Sequence, residues 1–355
     1  MGKRSRGVHH AAKLSQKAGG SMETQKHRRL HWAEFSRFAK RLGHVLGAVN
    51  EAEHWMVEYF IWFMVAGATK AGTLANYRAS LSVIHAAAGQ DMTESTGSRP
   101  LQLERRDRGG KHRARTQQEF IELVAEAQKL DEGVAHIIRL MRWLGLRMRE
   151  ALMCGESLQR WRELILRGDR RLPVQSGAKN KRPRRTEVLE GRVDETLAAI
   201  EAALEFCRNR DFELVTGSHF NLESAKQRLK AFFDRLPMRG ELASHSLRYS
   251  FAVDYANTAL DKGVLPLDVL IALSDRLGHG PSRAQMILAV YCWQIRHRFP
   301  EKIKLPSDFV PRERTKTKTR TVAPVLRPFG PSESHAKRRL CRGPMRARRR
   351  NDRAA

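Results

Sequence analysis

The sequence has few cysteines, and they lie far apart. Four are present among 355 residues, and no two of them form a Cys-x-x-Cys pair. This pattern argues against a disulfide framework and against a zinc site, and it fits a reducing compartment such as the cytoplasm. No cluster of carboxylates indicates another metal site. We therefore expect no metal and no other cofactor.

Long apolar stretches are also lacking. The apolar run at residues 56–68 (MVEYFIWFMVAGA) is too short to span a bilayer, and it contains Glu58. A buried helix is the better interpretation, so no membrane partner is expected. The first twenty residues are basic and lack the apolar segment of a secretory signal.

Acidic residues are outnumbered. The chain has 66 Lys and Arg against 38 Asp and Glu, a net charge of +28. Residues 301–355 hold 17 basic and 5 acidic residues, so the rest of the chain is basic as well. A surplus of this size favours a polyanionic partner, because neutralising phosphates releases condensed counterions. Nucleic acid is favoured over an anionic membrane surface.

The patterns predict a mainly α protein with a small antiparallel sheet, an α+β class. The length allows two domains, each with its own core. We predict a basic flexible arm at residues 1–21, a helical domain at 22–95, a linker at 96–115, a larger domain at 116–305 and a basic tail at 306–355.

Helical spacing of apolar residues supports most of this assignment. The first amphipathic face is formed by Phe35, Phe38, Ala39, Leu42, Val45 and Leu46. The aromatic residues of the next predicted helix, which we expect in the core, are Trp55, Tyr59, Phe60, Trp62 and Phe63. Helix ends are indicated by Gly89, by a capping box of Thr116 with Glu119, by Ser244 as an N-cap and by Pro266.

Residues 161–189 change character, because their apolar segments are short. The segments Leu164–Leu166, Leu172–Val174 and Glu187–Leu189 are separated by glycine-containing turns, which predicts antiparallel hairpins. The basic residues at the second turn are Lys179, Lys181, Arg182, Arg184 and Arg185. A DNA-binding hairpin and a solvated loop are both compatible with this composition.

The most informative residues are two pairs with the same spacing. In LGLRMRE, Arg147 and Glu150 are three apart, and in SHSLRYSFAVDYA, His245 and Arg248 are three apart, so one helical face presents each pair. Farther along, LGHG contains a second histidine, and one tyrosine follows it, the only one in the last 100 residues. These are His279 and Tyr291.

These residue types suit the cleavage of a phosphodiester by a phenol. The planar guanidinium of arginine donates two hydrogen bonds to a phosphate and keeps its charge. A tyrosine serves first as nucleophile and later as leaving group, so that the covalent link is reversible. In their order, Arg-x-x-Glu, basic hairpin, His-x-x-Arg, Leu-Gly-His-Gly and Tyr, the motifs resemble the tyrosine recombinase (phage integrase) family.

The resemblance implies a role for each matched residue. Arg147 and Arg248 bracket the scissile phosphate, and Glu150 supports an arginine or a histidine without touching DNA. Residues 22–95 correspond to the helical core-binding domain that clasps DNA in this family, and residues 116–305 correspond to the catalytic domain.

The remaining roles concern proton transfer and attack. His245 accepts the phenol proton or orients the phenol, His279 donates to a phosphate oxygen, and Tyr291 attacks. Lys179, with Lys181 as the alternative, protonates the leaving 5′ oxygen. The interval from His279 to Tyr291 is about one helical turn longer than is usual in the family, and we expect a turn at residues 281–283 to absorb it.

The resemblance also implies partners. It predicts a homotetramer on two double-stranded DNA duplexes in a prokaryotic cytoplasm, associated with the nucleoid, with accessory DNA-bending or directionality factors, encoded by a mobile element. Integration, resolution and inversion use the same chemistry, and the sequence does not separate them. A DNA-binding protein of the same fold that no longer cleaves is the alternative from another class.

Overall fold

The computed structural model describes residues 6–103, 109–178, 182–219, 221–301 and 303. The chain divides into two compact units, residues 1–107 and 108–355. Regular structure in the described residues is helical except for one two-stranded antiparallel sheet, which confirms the predicted fold class. Within the same residues, every helix is too short or too polar to cross a bilayer.

The first unit is a helical bundle. Its helices are α1 (Arg6–Lys17), α2 (Met22–Arg41), α3 (His54–Ala66), α4 (Ala71–Ala87) and α5 (Thr93–Thr96). Gly89 follows α4 with a positive φ of 85°, as its predicted place after the helix requires. Leu42 and Val45 are exposed, against the prediction, because α2 ends at Arg41.

The predicted flexible arm is wrong for residues 6–17. These residues form α1, which buries Ala11 and Leu14 in the core of the first unit. The backbone N–H of Val49 donates to Nδ1 of His10 at 3.1 Å. The basic composition concealed this helix, because its few apolar residues are covered only when it packs against α2 and α4.

The aromatic helix α3 is buried on one side only. Met56, Val57, Phe60 and Ile61 face the core, as predicted for an apolar helix. The prediction is wrong for the other four aromatic residues, whose exposed fractions are 42–52%: Trp55, Tyr59, Trp62 and Phe63.

The second unit contains nine α-helices within its described residues. They are α6 (Gln117–Leu130), α7 (Glu132–Leu144), α8 (Met148–Leu152), α9 (Gly155–Leu166), α10 (Val193–Cys207), α11 (Leu222–Arg235), α12 (Ser246–Asp261), α13 (Pro266–Arg276) and α14 (Ala284–Val290). The capping box of Thr116 and Glu119 opens α6, and Pro266 opens α13, as predicted. His245, and not the predicted Ser244, is the N-cap of α12.

The sheet pairs β1 (Arg171–Val174) with β2 (Arg184–Glu187), and Val174 lies opposite Arg184. The predicted strand at Leu164–Leu166 is wrong, because these residues end α9. Leu158, Trp161 and Ile165 lie on the buried face of that helix at helical spacing.

The end of α7 lies against α12 and thereby positions the candidate site. Gly145 follows α7 with a φ of +56°, and a Cβ atom there would lie 2.5 Å from the Phe251 ring. Only glycine combines this conformation with this close approach. Arg147, two residues later, is consequently brought next to the first turn of α12.

Candidate active site

A buried ionic cluster joins α8 to β2. Glu150 is fully buried, and its Oε1 accepts a hydrogen bond from Arg147 Nη1 at 2.6 Å. Its Oε2 accepts from Arg184 Nη2 at 2.7 Å. Burial raises the pKa of Glu150, but the hydrogen bond and charge of Arg184, with the charge of Arg248, outweigh burial and lower the pKa to about 2. Glu150 is therefore ionised at neutral pH and holds two guanidinium groups in place.

Arg248 lies beside this cluster and is completely buried. Its Nη1 donates to the carbonyl of Gly145 and its Nη2 to the carbonyl of Leu277. Arg147 Nη2 donates to the same Leu277 carbonyl at 2.9 Å. These acceptors lie at the C-terminal ends of α7 and α13, where helix dipoles concentrate partial negative charge. The two arginines predicted to bracket a phosphate thus share an acceptor and lie side by side.

Tyr291 directly follows α14, and its phenol lies between two histidines. Its hydroxyl is 3.0 Å from His245 Nε2 and 3.2 Å from His279 Nε2. Its ring centroid is 4.7 Å from that of Tyr249 and 5.9 Å from Arg248 Cζ. The structure therefore brings the predicted nucleophile to both predicted histidines and to one predicted arginine.

A 3₁₀ turn lies between His279 and Tyr291. It spans Pro281–Arg283 and leads directly into α14. Before it, the backbone N–H of His279 donates to the Ser274 carbonyl at 2.9 Å, which fixes the chain as it leaves α13. The long spacing between the two residues is therefore compatible with contact between their side chains.

The pKa of His245 is strongly lowered by its surroundings. Burial is the largest cause; together with the positive charges of Arg248, His112 and Arg147, and against an opposing effect of Glu150, it lowers the pKa of His245 to about 3. At neutral pH the imidazole is therefore uncharged. A neutral imidazole is able to accept a proton from the adjacent phenol.

We predict that His245 stays neutral down to about pH 5 in the DNA-free protein, because protonation would place a buried positive charge beside arginines. The measurement is an NMR titration of the imidazole signals from pH 8 to pH 4.5, with the His245 signal assigned by its loss in His245→Gln. A midpoint near the ordinary imidazole value of about 6.5 would contradict the prediction.

The five basic residues predicted at the second hairpin turn differ in their surroundings. Arg182 and Arg185 are exposed. Lys179 and Lys181 lie outside the described residues. Gly177, just before them, has a φ of +72°, and a Cβ there would lie 2.5 Å from the Arg149 carbonyl oxygen, so the hairpin approaches α8.

Arg184 does not fit its predicted role as a DNA contact. Only 8% of the residue is exposed, and its guanidinium donates to Glu150 and to the carbonyls of Gly145 and Arg276. The physical reason is the alternation of a β-strand, which turns Arg184 and Thr186 inward and Arg185 outward. That alternation is the signal that sequence reasoning missed.

The assembled groups are suited to an oxyanion and a nucleophilic phenol. Three guanidinium groups surround one carboxylate, which leaves a surplus of positive charge. The Nε of Arg248 is buried, and no described residue accepts its hydrogen bond. Nowhere in the described part of the chain do three or more metal-binding side chains come together.

The chain aligns with solved structures at low sequence identity. Each of these alignments covers most of the chain. XerA recombinase is 14% identical, with a TM-score of 0.35, and the alignment covers 82% of this chain and 96% of that one. The Tn1549 transposon integrase with transposon right-end DNA is 14% identical, with a TM-score of 0.48 and coverages of 82% and 95%. The same integrase with circular intermediate DNA is 15% identical, with a TM-score of 0.47 and coverages of 82% and 96%.

No curated protein sequence matches the chain. The family model described as integrase matches residues 102–254. The matched segment contains Arg147, Glu150, His245 and Arg248, and it ends before His279 and Tyr291. Over this segment the chain is similar to the integrase family, in agreement with the resemblance of its sequence motifs to those of the tyrosine recombinases.

Proposed function

We propose that this protein is a site-specific DNA recombinase that cleaves and rejoins strands through a 3′-phosphotyrosyl intermediate on Tyr291. The observation that carries the proposal is the hydroxyl of Tyr291, held between two histidines beside the buried Arg248. A phenol in a merely structural role needs one hydrogen-bond partner. Here it meets two ionisable partners next to a surplus of positive charge.

The arginines supply the electrostatic part of the mechanism. A phosphodiester that enters the site replaces the Leu277 carbonyl as the hydrogen-bond acceptor of Arg147, and the buried Arg248 beside it contributes its positive charge. Attack builds negative charge on the non-bridging oxygens. Donors that are already oriented stabilise that charge without reorganising. Glu150 contributes by orienting Arg147 and does not contact DNA.

The histidines and the phenol supply the proton transfer. Neutral His245 accepts the proton of the Tyr291 hydroxyl as the phenolic oxygen bonds to phosphorus, and His279 turns its hydrogen bond toward a phosphate oxygen. The bond from phosphorus to the 5′ oxygen breaks, and that oxygen takes a proton from Lys179 in the role the family implies. In strand joining, a 5′ hydroxyl attacks phosphorus and the phenol leaves, so that no high-energy cofactor is consumed.

The proposed partners follow from charge and family. A net charge of +28 and the exposed Arg182 and Arg185 support binding to double-stranded DNA. We further propose a homotetramer on two duplexes, a role for residues 22–95 in clasping DNA, assistance by DNA-bending or directionality factors, and an origin in a prokaryotic mobile element. Resolution and inversion use the same chemistry, and the DNA substrate determines whether either of them takes place.

The test is covalent trapping on a nicked suicide substrate built from sequence that flanks the gene. We expect the wild-type protein to form an adduct that survives a denaturing gel, since loss of the nicked fragment prevents rejoining. Peptide mapping by mass spectrometry should find the DNA on Tyr291. Tight binding to this DNA without any adduct would instead support the DNA-binding protein that no longer cleaves.

A further inference from the structure

A short segment before α6 forms hydrogen bonds with two parts of the site: α12 and the residues that follow Tyr291. We call residues His112–Arg115 the strap. On one side it is attached to α12, since the backbone N–H of Arg115 donates to Ser250 Oγ at 2.7 Å and Arg115 Nε donates to Ser246 Oγ at 3.1 Å. Arg115 is 95% buried, which makes this attachment part of the core of the second unit.

Arg115 is anchored further by the chain that leads into α12. Its Nη2 donates to the carbonyls of Pro237 and Leu242, at 2.8 Å and 2.5 Å. Arg113 adds an ion pair with Glu241, its Nε lying 3.0 Å from Glu241 Oε1. The strap is therefore fixed relative to the helix that presents Arg248.

On its other side the strap holds the two residues that come closely after Tyr291. Trp293 Nε1 donates to the carbonyl of His112 at 2.7 Å, and the backbone N–H of Ala114 donates to Gln294 Oε1 at 2.5 Å. The His112 ring lies edge-on to those of His245 and Tyr249, with centroids 6.0 Å and 5.6 Å away. The strap thus connects the His245 helix to the backbone that carries the phenol.

The Tyr291 ring is buried in the core of the second unit, but the hydrogen bonds that orient its hydroxyl are exchanged during the reaction. Tyr291 lies at the end of a helix of seven residues. Its hydroxyl bonds to His245 and His279 are the ones that attack on a phosphate disrupts. The strap bonds involve no reacting atom, so they persist through the reaction.

We propose that Trp293 and Gln294, bound to the strap, are positioning residues that hold Tyr291 for attack. This inference rests on the proposed function. A displacement of about 1 Å between reacting atoms lowers a rate strongly, up to about 100-fold. The strap is therefore expected to affect the attack by Tyr291 and not the binding of DNA.

The test compares Trp293→Phe and Gln294→Ala with wild type under single-turnover conditions at saturating suicide DNA. Each variant removes one strap hydrogen bond from a side chain that is at least partly exposed. We expect each to slow adduct formation about two- to tenfold, the range for one hydrogen bond, with an unchanged Kd for DNA. Gln159→Ala is the matched control, because it removes a 2.8 Å side-chain bond to Glu163 on α9.

A second measurement separates positioning of the phenol from general damage to the site. In a Tyr291→Phe background, hydrogen peroxide replaces the phenol: its anion bonds to phosphorus, and the 5′ oxygen leaves with a proton. Because this nucleophile diffuses in freely, Trp293→Phe and Gln294→Ala should not change the rate of peroxide cleavage. An equal loss in both reactions would overturn the proposal, and so would an unchanged or faster rate of adduct formation.

The outcomes distinguish this inference from the proposed function. If wild type cleaves the DNA and the strap variants cleave equally fast, the strap has no positioning role and the function stands. The proposed function fails if the wild-type protein binds the DNA without forming an adduct and Tyr291→Phe with peroxide does not cleave it either. The inference then fails with it.

Discussion

Replacing Tyr291 with phenylalanine is expected to abolish the covalent protein–DNA adduct. The change removes the attacking oxygen and leaves the ring, which packs against Tyr249 and over Arg248. Loss of the nucleophile of a covalent enzyme slows the reaction on the order of 10⁶-fold, so no adduct should be detectable on the time scale of the wild-type reaction. The measurement is adduct yield on the suicide substrate, together with DNA affinity.

Tyr255→Phe is the matched control for this change. Tyr255 lies on α12 in the same unit, partly buried, with its ring 6.4 Å from that of Phe251. Its hydroxyl has no part in the proposed chemistry, so the variant should form adduct at the wild-type rate. An adduct that persists in Tyr291→Phe would move the nucleophile to another residue, and loss of DNA binding would point to damage of the fold.

Elements with strong local signals were predictable from the sequence. Helical spacing and caps located most helices, including α6 with its capping box and α13 with its first-turn proline. The spacing of Arg147 with Glu150 and of His245 with Arg248 identified four residues that the structure brings close together. In each case the signal lies within a few residues, where chain geometry alone decides which side chains share a face.

Features that depend on distant segments were not predictable. α1 looks like a solvated arm until α2 and α4 pack against its apolar residues. Arg184 looks like its neighbours in a basic hairpin, and only the register of β2 turns it toward Glu150. The strap contacts join residues some 180 positions apart, such as Ala114 and Gln294, and no local pattern indicates them.

Glu150→Gln is expected to lower the free energy of unfolding by about 3–5 kcal/mol, the range for breaking a buried ion pair. The amide keeps the shape of the carboxyl but leaves Arg147 and the buried Arg184 without a counter-charge. The measurement is chemical denaturation at pH 7. The matched control is Glu201→Gln, which breaks an ion pair of the same 2.7 Å length with Arg162 at a half-exposed position. That change should cost about 0–1 kcal/mol.

The contribution of Glu150 to the free energy of unfolding should also disappear in acid. The lowered pKa of its carboxyl determines that stability falls, and does not rise, as the pH decreases. The pKa is about 2 in the folded protein and about 4.5 in the unfolded chain. The unfolded state therefore binds a proton first as the pH falls, and the stabilisation present above about pH 4.5 is lost progressively toward pH 2. The gap in stability between wild type and Glu150→Gln should be constant from pH 7 to pH 5 and smaller at pH 3.5. A gap no larger than that of Glu201→Gln at pH 7, or one that widens in acid, would show that Glu150 is not the charged centre of the arginine cluster.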